Sequence, residues 1–123
     1  NKNNPTLAEL RAGWQPYLNQ LNALSQTWNK PVLFTEIGYR SVDGSNRHPW
    51  DWGTDAPLDL QEQAMAYQTI LDLSMTQPWL QGIFWWTWMP TDLTQSGPSD
   101  KGYAIYRKPA FAVLRGFYRL PAP

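Results

Sequence analysis

Two short apolar runs stand out from an otherwise helical pattern of hydrophobic positions. The first spans about residues 31–38 and the second about residues 80–88. Both are rich in aromatic and β-branched side chains. Each run is nearly continuous instead of alternating with polar residues, which is typical of a strand covered on both faces in a parallel sheet. The pattern therefore predicts two buried parallel strands.

Apolar residues at helical spacing predict helices around these two runs. Thr6 and Glu9 form the Ser/Thr-x-x-Glu pattern of a helix start, and Pro16 suits the first turn of a second helix. Segments 40–57 and 90–107 hold Gly, Pro, Asp and Asn without periodicity, so both are predicted to be loops. The predicted helices cover residues of about 6–12, 14–29, 58–76 and 109–119.

Helices and strands alternate along the chain in this prediction. Such alternation implies right-handed crossovers and a parallel sheet with helices outside it, which is an α/β fold. Two strands are too few for a stable parallel sheet, because each needs neighbours at its edges and cover on both faces. We therefore expect residues 1–123 to form one domain that either pairs with another copy or is part of a larger α/β barrel.

Composition removes several classes of function. The 123 residues include ten Lys and Arg against ten Asp and Glu. The chain therefore has no net positive charge that would attract nucleic acid or an anionic membrane. There is no Cys, and His48 alone does not build a His-rich zinc site, so we expect no metal site. We expect no cofactor either. No run approaches the length of a membrane span and no signal peptide is recognisable, which leaves the cellular location undetermined.

Tryptophan is unusually frequent, with eight residues in the chain. An exposed Trp ring suits a partner that stacks on it, such as a sugar, a base or another aromatic side chain. A core rich in Trp is the alternative explanation. The surroundings of each Trp must therefore decide between a binding site and packing.

Glu36 lies at the carboxyl end of the first run. Period-2 alternation places it on the same face as Val32 and Phe34, at the end of the strand where α/β barrels hold their active sites. Gly38 lets the backbone turn away and leaves the carboxylate uncovered. The alternative is a solvated or salt-bridged Glu at a strand end.

Three tryptophans, Trp85, Trp86 and Trp88, close the second run at the same edge of the sheet. At least one of them is expected to face the side that Glu36 faces. A Trp ring can stack on the C–H face of a sugar while a neighbouring carboxylate attacks the anomeric carbon. The alternative is that these rings plug the mouth of a barrel.

Further candidates follow Glu36 along the chain. The hydroxyl of Tyr39 could orient the carboxylate, and Arg40 could keep it ionised, although a packed Tyr and a solvated Arg explain them equally well. The aromatic and polar residues of the long loop have two explanations. They line a sugar subsite, or they anchor the loop on the helices. Those residues are His48, Trp50, Asp51 and Trp52.

These motifs together resemble glycoside hydrolase family 113. The run Pro-Val-Leu-Phe-Thr-Glu-Ile-Gly-Tyr-Arg-Ser, the run Gly-Ile-Phe-Trp-Trp-Thr-Trp and the start Arg-Lys-Pro-Ala of the last helix are similar to the seventh and eighth βα units of that family. The family contains retaining β-mannanases with a (β/α)8 TIM barrel. The resemblance implies the C-terminal portion of such a barrel, about two βα units with a preceding helix. It also implies that Glu36 is the nucleophile and Trp86 a sugar platform.

One departure from the family limits this interpretation. The general acid/base of the family is a Glu on the fourth strand, and this chain has no corresponding strand. We therefore expect a retaining hydrolase that acts on β-mannan-type or related β-linked polysaccharide. The site of this hydrolase is incomplete in this chain, so the isolated chain is either a weak enzyme or inactive. One alternative is a carbohydrate-binding module that uses Trp50, Trp86 and Trp88. The other is a partial barrel that associates with copies of itself or with the missing barrel portion.

Overall fold

The computed structural model describes residues 4–119. The two strands are parallel and bonded to each other, with Val32 paired to Leu80 and Phe34 to Ile83. This arrangement confirms the predicted α/β class and the parallel pairing. Among the described residues, no helix has the length and apolar character needed to cross a membrane. In chain order the elements are α1 (Leu7–Trp28), β1 (Val32–Ile37), α2 (Leu60–Ser74), β2 (Leu80–Trp85), α3 (Asp92–Gln95) and α4 (Pro109–Tyr118).

The helix starts follow from local capping chemistry. At the start of α1 the backbone N–H of Glu9 donates to the Thr6 hydroxyl at 3.2 Å, and the Thr6 N–H donates to the Glu9 carboxylate at 2.8 Å. At the start of α2 the Asp59 carboxylate accepts from the N–H of Glu62 at 2.8 Å. Helix α4 begins at Pro109, whose missing N–H would lack an intrahelical partner there anyway. These signals were all readable in the sequence.

Helix α1 corrects the prediction of two helices over residues 6–12 and 14–29. One continuous helix covers Leu7–Trp28, with Pro16 inside it. Pro16 removes one backbone hydrogen bond, but it lies on the exposed face of the helix, while Leu18 is buried and Trp14 packs against the core. Tertiary packing on both sides of the proline keeps the helix continuous.

Helices α2 and α4 cover one face of the two-stranded sheet. Tyr67 and Leu71 of α2 are fully buried, and they belong to the same core as Leu114 of α4. Ile83 and Trp85 of β2 pack against this core from the sheet side. The core therefore lies between the sheet and these two helices.

The opposite face of the sheet is open within the described residues, so this part of the chain provides only one of the two covering layers that the strand pattern predicted. Phe84 lies between two core-facing residues of β2, so alternation directs it to the opposite face, and it is 62% exposed. Leu33 of β1 pairs with Gly82, which shares the face of Phe84, and it is 49% exposed. The apolar runs carry enough hydrophobic surface for two layers, while residues 4–119 supply only one.

Candidate active site

An open groove of about 730 Å³ lies at the carboxyl ends of the two strands. It is bordered by the loop that follows β1, residues 38–59, and by the loop that follows β2, residues 86–108. Its wall carries a carboxylate and several aromatic rings, which are the two components of a sugar site. The wall includes the side chains of Glu36, Tyr39, Trp50, Trp52, Trp86 and Tyr103.

Glu36 faces the groove from the penultimate position of β1. Its neighbour Ile37 packs against the helix-covered core, so alternation directs Glu36 to the opposite face, and the residue is exposed. Within residues 4–119 no ion pair holds its carboxylate. The salt-bridged alternative thus has no support in the described part of the chain, and the carboxylate is open to a ligand.

Gly38 brings the ends of the two strands together. A Cβ at this position would lie 1.9 Å from the carbonyl oxygen of Trp86, so only glycine fits. The N–H of Trp86 donates to the carbonyl of Ile37 at 2.7 Å. The sequence assigned Gly38 to a tight turn, but the structure shows that its role is close backbone approach. This approach places Trp86 and Glu36 in one groove.

Trp86 is the member of the tryptophan trio that borders the groove. Trp85 points to the other face and stacks on Tyr67, with ring centroids 4.5 Å apart and planes inclined by 16°. Trp88 lies beyond the strand and packs against Phe111 of α4 at 5.9 Å. The structure therefore does not bring Trp85 or Trp88 to Glu36, because strand alternation and the path of the following loop direct them to the helices.

Tyr39 is a core residue whose edge reaches the groove. It is 6% exposed and packs edge-on against Tyr67 at a centroid distance of 6.5 Å. Burial raises the pKa of Tyr39 to about 12, an effect that a hydrogen bond from Trp14 partly opposes. With its hydroxyl bonded to Trp14, Tyr39 shapes the floor of the groove more than it orients Glu36.

Arg40 joins the two loops and does not border the groove. Its Nε donates to the carbonyl of Lys101 at 3.2 Å, and one terminal nitrogen donates to the carbonyls of Asp51 and Thr54 at 3.2 and 2.8 Å. The guanidinium is thus occupied by backbone oxygens. Arg40 is therefore a structural cross-link between the loops. It is not the partner that was expected to keep Glu36 ionised.

The long loop presents two tryptophans to the groove. Trp50 and Trp52 are 71% and 81% exposed, and both belong to its wall. The His48 ring meets Trp50 edge-to-face at 5.4 Å but does not itself border the groove. Asp51 caps the turn that follows it, accepting from the N–H groups of Gly53 and Thr54 at 3.0 and 3.1 Å.

The buried Glu62 of α2 organises the base of this loop, and sequence reasoning missed it. Its carboxylate accepts from the N–H of Gly44 at 2.8 Å, from the N–H of Asn46 at 2.7 Å and from the Ser45 hydroxyl at 3.2 Å. A charged residue on an otherwise apolar helix face was the available signal. Its partners lie 16 to 18 positions away, so local patterns do not identify them.

Two further acidic side chains, Asp43 and Asp59, lie close to Glu62. Oxygens of Asp43, Asp59 and Glu62 lie within 4.8 Å of one another, which would suit a cation geometrically. Asp59 caps α2, however, and Glu62 is occupied by loop N–H groups. The cluster is explained by its role in folding the loop.

Tyr103 is a groove residue that sequence reasoning also missed. Its hydroxyl donates to the carbonyl of Pro49 at 2.7 Å, which spans the two loops. Burial raises the pKa of Tyr103; the positive charge of Arg40 opposes this effect, and the negative charges of Asp51 and Glu36 add to it. The residue lies in an aperiodic loop, so nothing in the sequence indicated which way its ring points.

Comparison with known proteins identifies a family and similar solved structures. The model of Glycoside Hydrolase Family 113 matches residues 5–108. A solved GH113 β-1,4-mannanase complex is 25% identical, with a TM-score of 0.73 over 88% of this chain and 35% of that chain. The GH113 β-mannanase AaManA from Alicyclobacillus acidocaldarius, in complex with ManMIm, is 29% identical, with a TM-score of 0.73 over 90% of this chain and 36% of that chain.

The extent of the match is as informative as its quality. A search of curated proteins gives no match. The chain spans only 35% or 36% of the two solved mannanases, which is consistent with a partial barrel. The family model covers residues 5–108, which is most of the chain. The chain belongs to glycoside hydrolase family 113.

Proposed function

We propose that this chain supplies the nucleophile side of a retaining glycoside hydrolase site that acts on β-linked, mannan-type polysaccharide. The observation that carries the proposal is the shared groove of Glu36 and Trp86, joined through the backbone contact at Gly38. Family membership supports hydrolysis of a glycoside. The mannan-type substrate is supported by solved relatives described as β-1,4-mannanases.

In the proposed reaction Glu36 attacks the anomeric carbon while the ring of Trp86 supports the sugar. The new ester bond forms as the glycosidic C–O bond breaks, and the leaving oxygen takes a proton from a second carboxyl group. Water, deprotonated by that same group, then hydrolyses the glycosyl ester and frees Glu36. No cofactor takes part in these steps.

The second carboxyl group is not supplied by the groove wall of the described residues. Glu36 is the only Asp or Glu on that wall, while a retaining pair needs two carboxyl groups about 5 to 5.5 Å apart. We place the acid/base in the portion of the barrel that residues 4–119 do not include. An activated substrate lowers the need for acid assistance, so it can test Glu36 in this chain alone.

The alternative is a carbohydrate-binding groove without catalysis. It is favoured by the same lone carboxylate and by the high exposure of three rings on the wall, Trp50, Trp52 and Trp86. In that case Glu36 would only accept hydrogen bonds from sugar hydroxyls. The two functions differ in whether a covalent intermediate forms.

Covalent trapping separates these functions. We would incubate the chain with a 2-deoxy-2-fluoro-β-mannoside that carries a good leaving group and measure the intact mass. A glycosyl adduct that maps to Glu36, and that Glu36→Gln abolishes without a change in the circular dichroism spectrum, supports the proposed function. Sugar binding without an adduct supports the binding module instead, and an adduct on another carboxylate removes Glu36 as the nucleophile.

A further inference from the structure

Lys108 is buried although it is charged. It lies directly before α4 and is 3% exposed. Its Nζ is 2.8 Å from the Asp100 carboxylate and donates to the Ser41 hydroxyl at 2.9 Å and to the carbonyl of Gly102 at 3.1 Å. Burial lowers the pKa of Lys108, and its ion pair with Asp100 opposes this effect. All three ammonium hydrogens therefore have acceptors.

These acceptors come from both loops that border the groove. Ser41 belongs to the loop after β1, whereas Asp100 and Gly102 belong to the loop after β2. Ser41 itself bonds across the junction, its N–H to the Gly102 carbonyl at 3.2 Å and its hydroxyl to the Asp100 carbonyl at 2.7 Å. Lys108 thus closes a buried junction that fixes one loop against the other.

Tyr103 extends from this junction to the groove. It follows Gly102 directly, and its carbonyl accepts from Nε2 of the buried Gln63 at 3.3 Å. At its other end the hydroxyl is held by the Pro49 carbonyl. Tyr103 is thus held at both ends by hydrogen bonds, one at its backbone carbonyl and one at its hydroxyl. Its ring forms part of the wall that also carries Glu36.

We propose that Lys108 is a positioning residue: by fixing the Gly102 backbone against Ser41, it holds the Tyr103 ring in the groove wall beside Glu36, where the ring contacts the sugar. The contact with sugar rests on the proposed function, but the positioning of Tyr103 does not. A buried ion pair is a poor device for stability alone, because apolar residues of similar volume often stabilise as well or better. Its benefit here is a defined loop geometry.

The ionisation of Tyr103 reports its position without any sugar. We would label the full chain with 13Cζ-tyrosine, assign Tyr103 with the Tyr103→Phe variant, and titrate its resonance by NMR. Lys108→Met should let the ring move into solvent, so the pKa of Tyr103 falls toward the ordinary tyrosine value. Lys101→Met is the matched control, since this neighbouring lysine pairs with the exposed Asp55 and should leave the titration unchanged. An unaltered titration in folded Lys108→Met would overturn the proposal.

Ser41→Ala keeps the test decisive if Lys108→Met does not fold. It removes one acceptor of Lys108 and the bond to the Asp100 carbonyl, and it leaves the ion pair in place. The pKa of Tyr103 should shift in the same direction by a smaller amount, and an unchanged value in this variant also overturns the proposal.

Sugar affinity tests the second half of the inference. Mannotriose binding, followed by tryptophan fluorescence, should be roughly two- to tenfold weaker in Lys108→Met and unchanged in Lys101→Met. A shifted Tyr103 titration with unchanged affinity would disprove the contact between Tyr103 and the sugar. If the unaltered chain binds no mannotriose, the proposed function fails, whereas the NMR titration still decides the positioning role of Lys108.

Discussion

The last residue of β2, Trp85, and the residue directly after it, Trp86, have opposite surroundings. Trp86 is 44% exposed at the groove, while Trp85 stacks on the buried Tyr67. The two side chains differ in direction because successive residues of a strand point to opposite faces of the sheet. Substitutions at these two positions therefore affect different properties.

We expect Trp86→Ala to weaken oligosaccharide binding by about 1 to 3 kcal/mol, because it removes a large aromatic contact with the sugar. The free energy of unfolding of Trp86→Ala should differ little from that of the unaltered chain. Trp85→Ala is the matched control, and it should lower the free energy of unfolding by roughly 2 to 4 kcal/mol, since it opens a gap beside Tyr67. Isothermal titration and urea unfolding measure the two effects, and an unchanged affinity in a folded Trp86→Ala variant would contradict the assignment.

The buried Tyr39 predicts a loss of stability at alkaline pH. Its pKa is raised to about 12 in the folded chain, so the unfolded chain loses this proton first. The contribution is complete below the ordinary tyrosine pKa of about 10 and is lost as pH rises to about 12, on the order of 2 kcal/mol. Tyr67 acts in the same direction, whereas the lowered pKa of Lys108 acts in the opposite one.

Urea unfolding at about four pH values between 8 and 11 gives the free energy of unfolding as a function of pH. Tyr39→Phe lacks the titrating hydroxyl and should show a shallower alkaline decrease than the unaltered chain. Equal slopes for the two proteins would show that Tyr39 does not control the alkaline transition.

At the scale of elements, α1 shows how tertiary contacts override a local signal. Pro16 interrupts the hydrogen-bond ladder of a 22-residue helix, yet the helix continues because Trp14 and Leu18 pack inward on either side. Isolated from the fold, the same sequence would be expected to break at the proline.

Pro16→Ala should therefore stabilise the chain by about 1 to 3 kcal/mol, since it restores an N–H and removes a clash with the preceding turn. Gly13→Ala is a companion variant on the same helix. A Cβ there meets no atom within 4 Å, so a smaller gain of about 0.5 to 1 kcal/mol is expected from propensity alone. Denaturant midpoints measure both gains, and a loss of stability in Pro16→Ala would mean that the proline is required for the path of α1.

At the scale of the whole molecule, the sheet has an uncovered face and two strand edges with no partner among residues 4–119. The chain also spans about a third of the mannanase structures that it resembles, at 35% and 36%. We propose that the open side is covered by the complementary barrel portion or, in its absence, by a second copy of the chain. Unpaired strand edges and exposed apolar rings favour association in either case.

Sedimentation at micromolar concentration should thus detect a homo-oligomer of the chain, or a complex when the complementary portion is added. Phe84→Glu should weaken that association, because it places a charge on the open sheet face. Met75→Glu changes a similarly exposed residue away from the sheet, and it should have no effect. A dilute monomer that melts cooperatively would rule out this account of the open face.

The sequence by itself determined the α/β class and the place of Glu36 at the end of the first strand. The two apolar runs predicted the strands. Period-2 alternation predicted that Glu36 shares a face with Val32 and Phe34, but a register shift between Phe34 and Ile37 interrupts this alternation, and Glu36 lies opposite its neighbour Ile37. The capping signal at Thr6 located the start of α1 to within a residue, and the start of α2 was predicted two residues early, at about residue 58 instead of Leu60. These features follow from local backbone geometry, which repeats every two residues in a strand and every 3.6 in a helix.

Only the tertiary structure decided which aromatic rings meet Glu36 and what holds them there. The direction of Trp86 depended on where β2 ends against Gly38, and the roles of Arg40, Tyr103 and Lys108 depended on contacts between the two loops. Lys108 and Ser41 are 67 positions apart, and Arg40 and Lys101 are 61 apart. Loops have no repeat that directs their side chains, so their geometry comes from such long-range contacts, which appear only when the chain is folded.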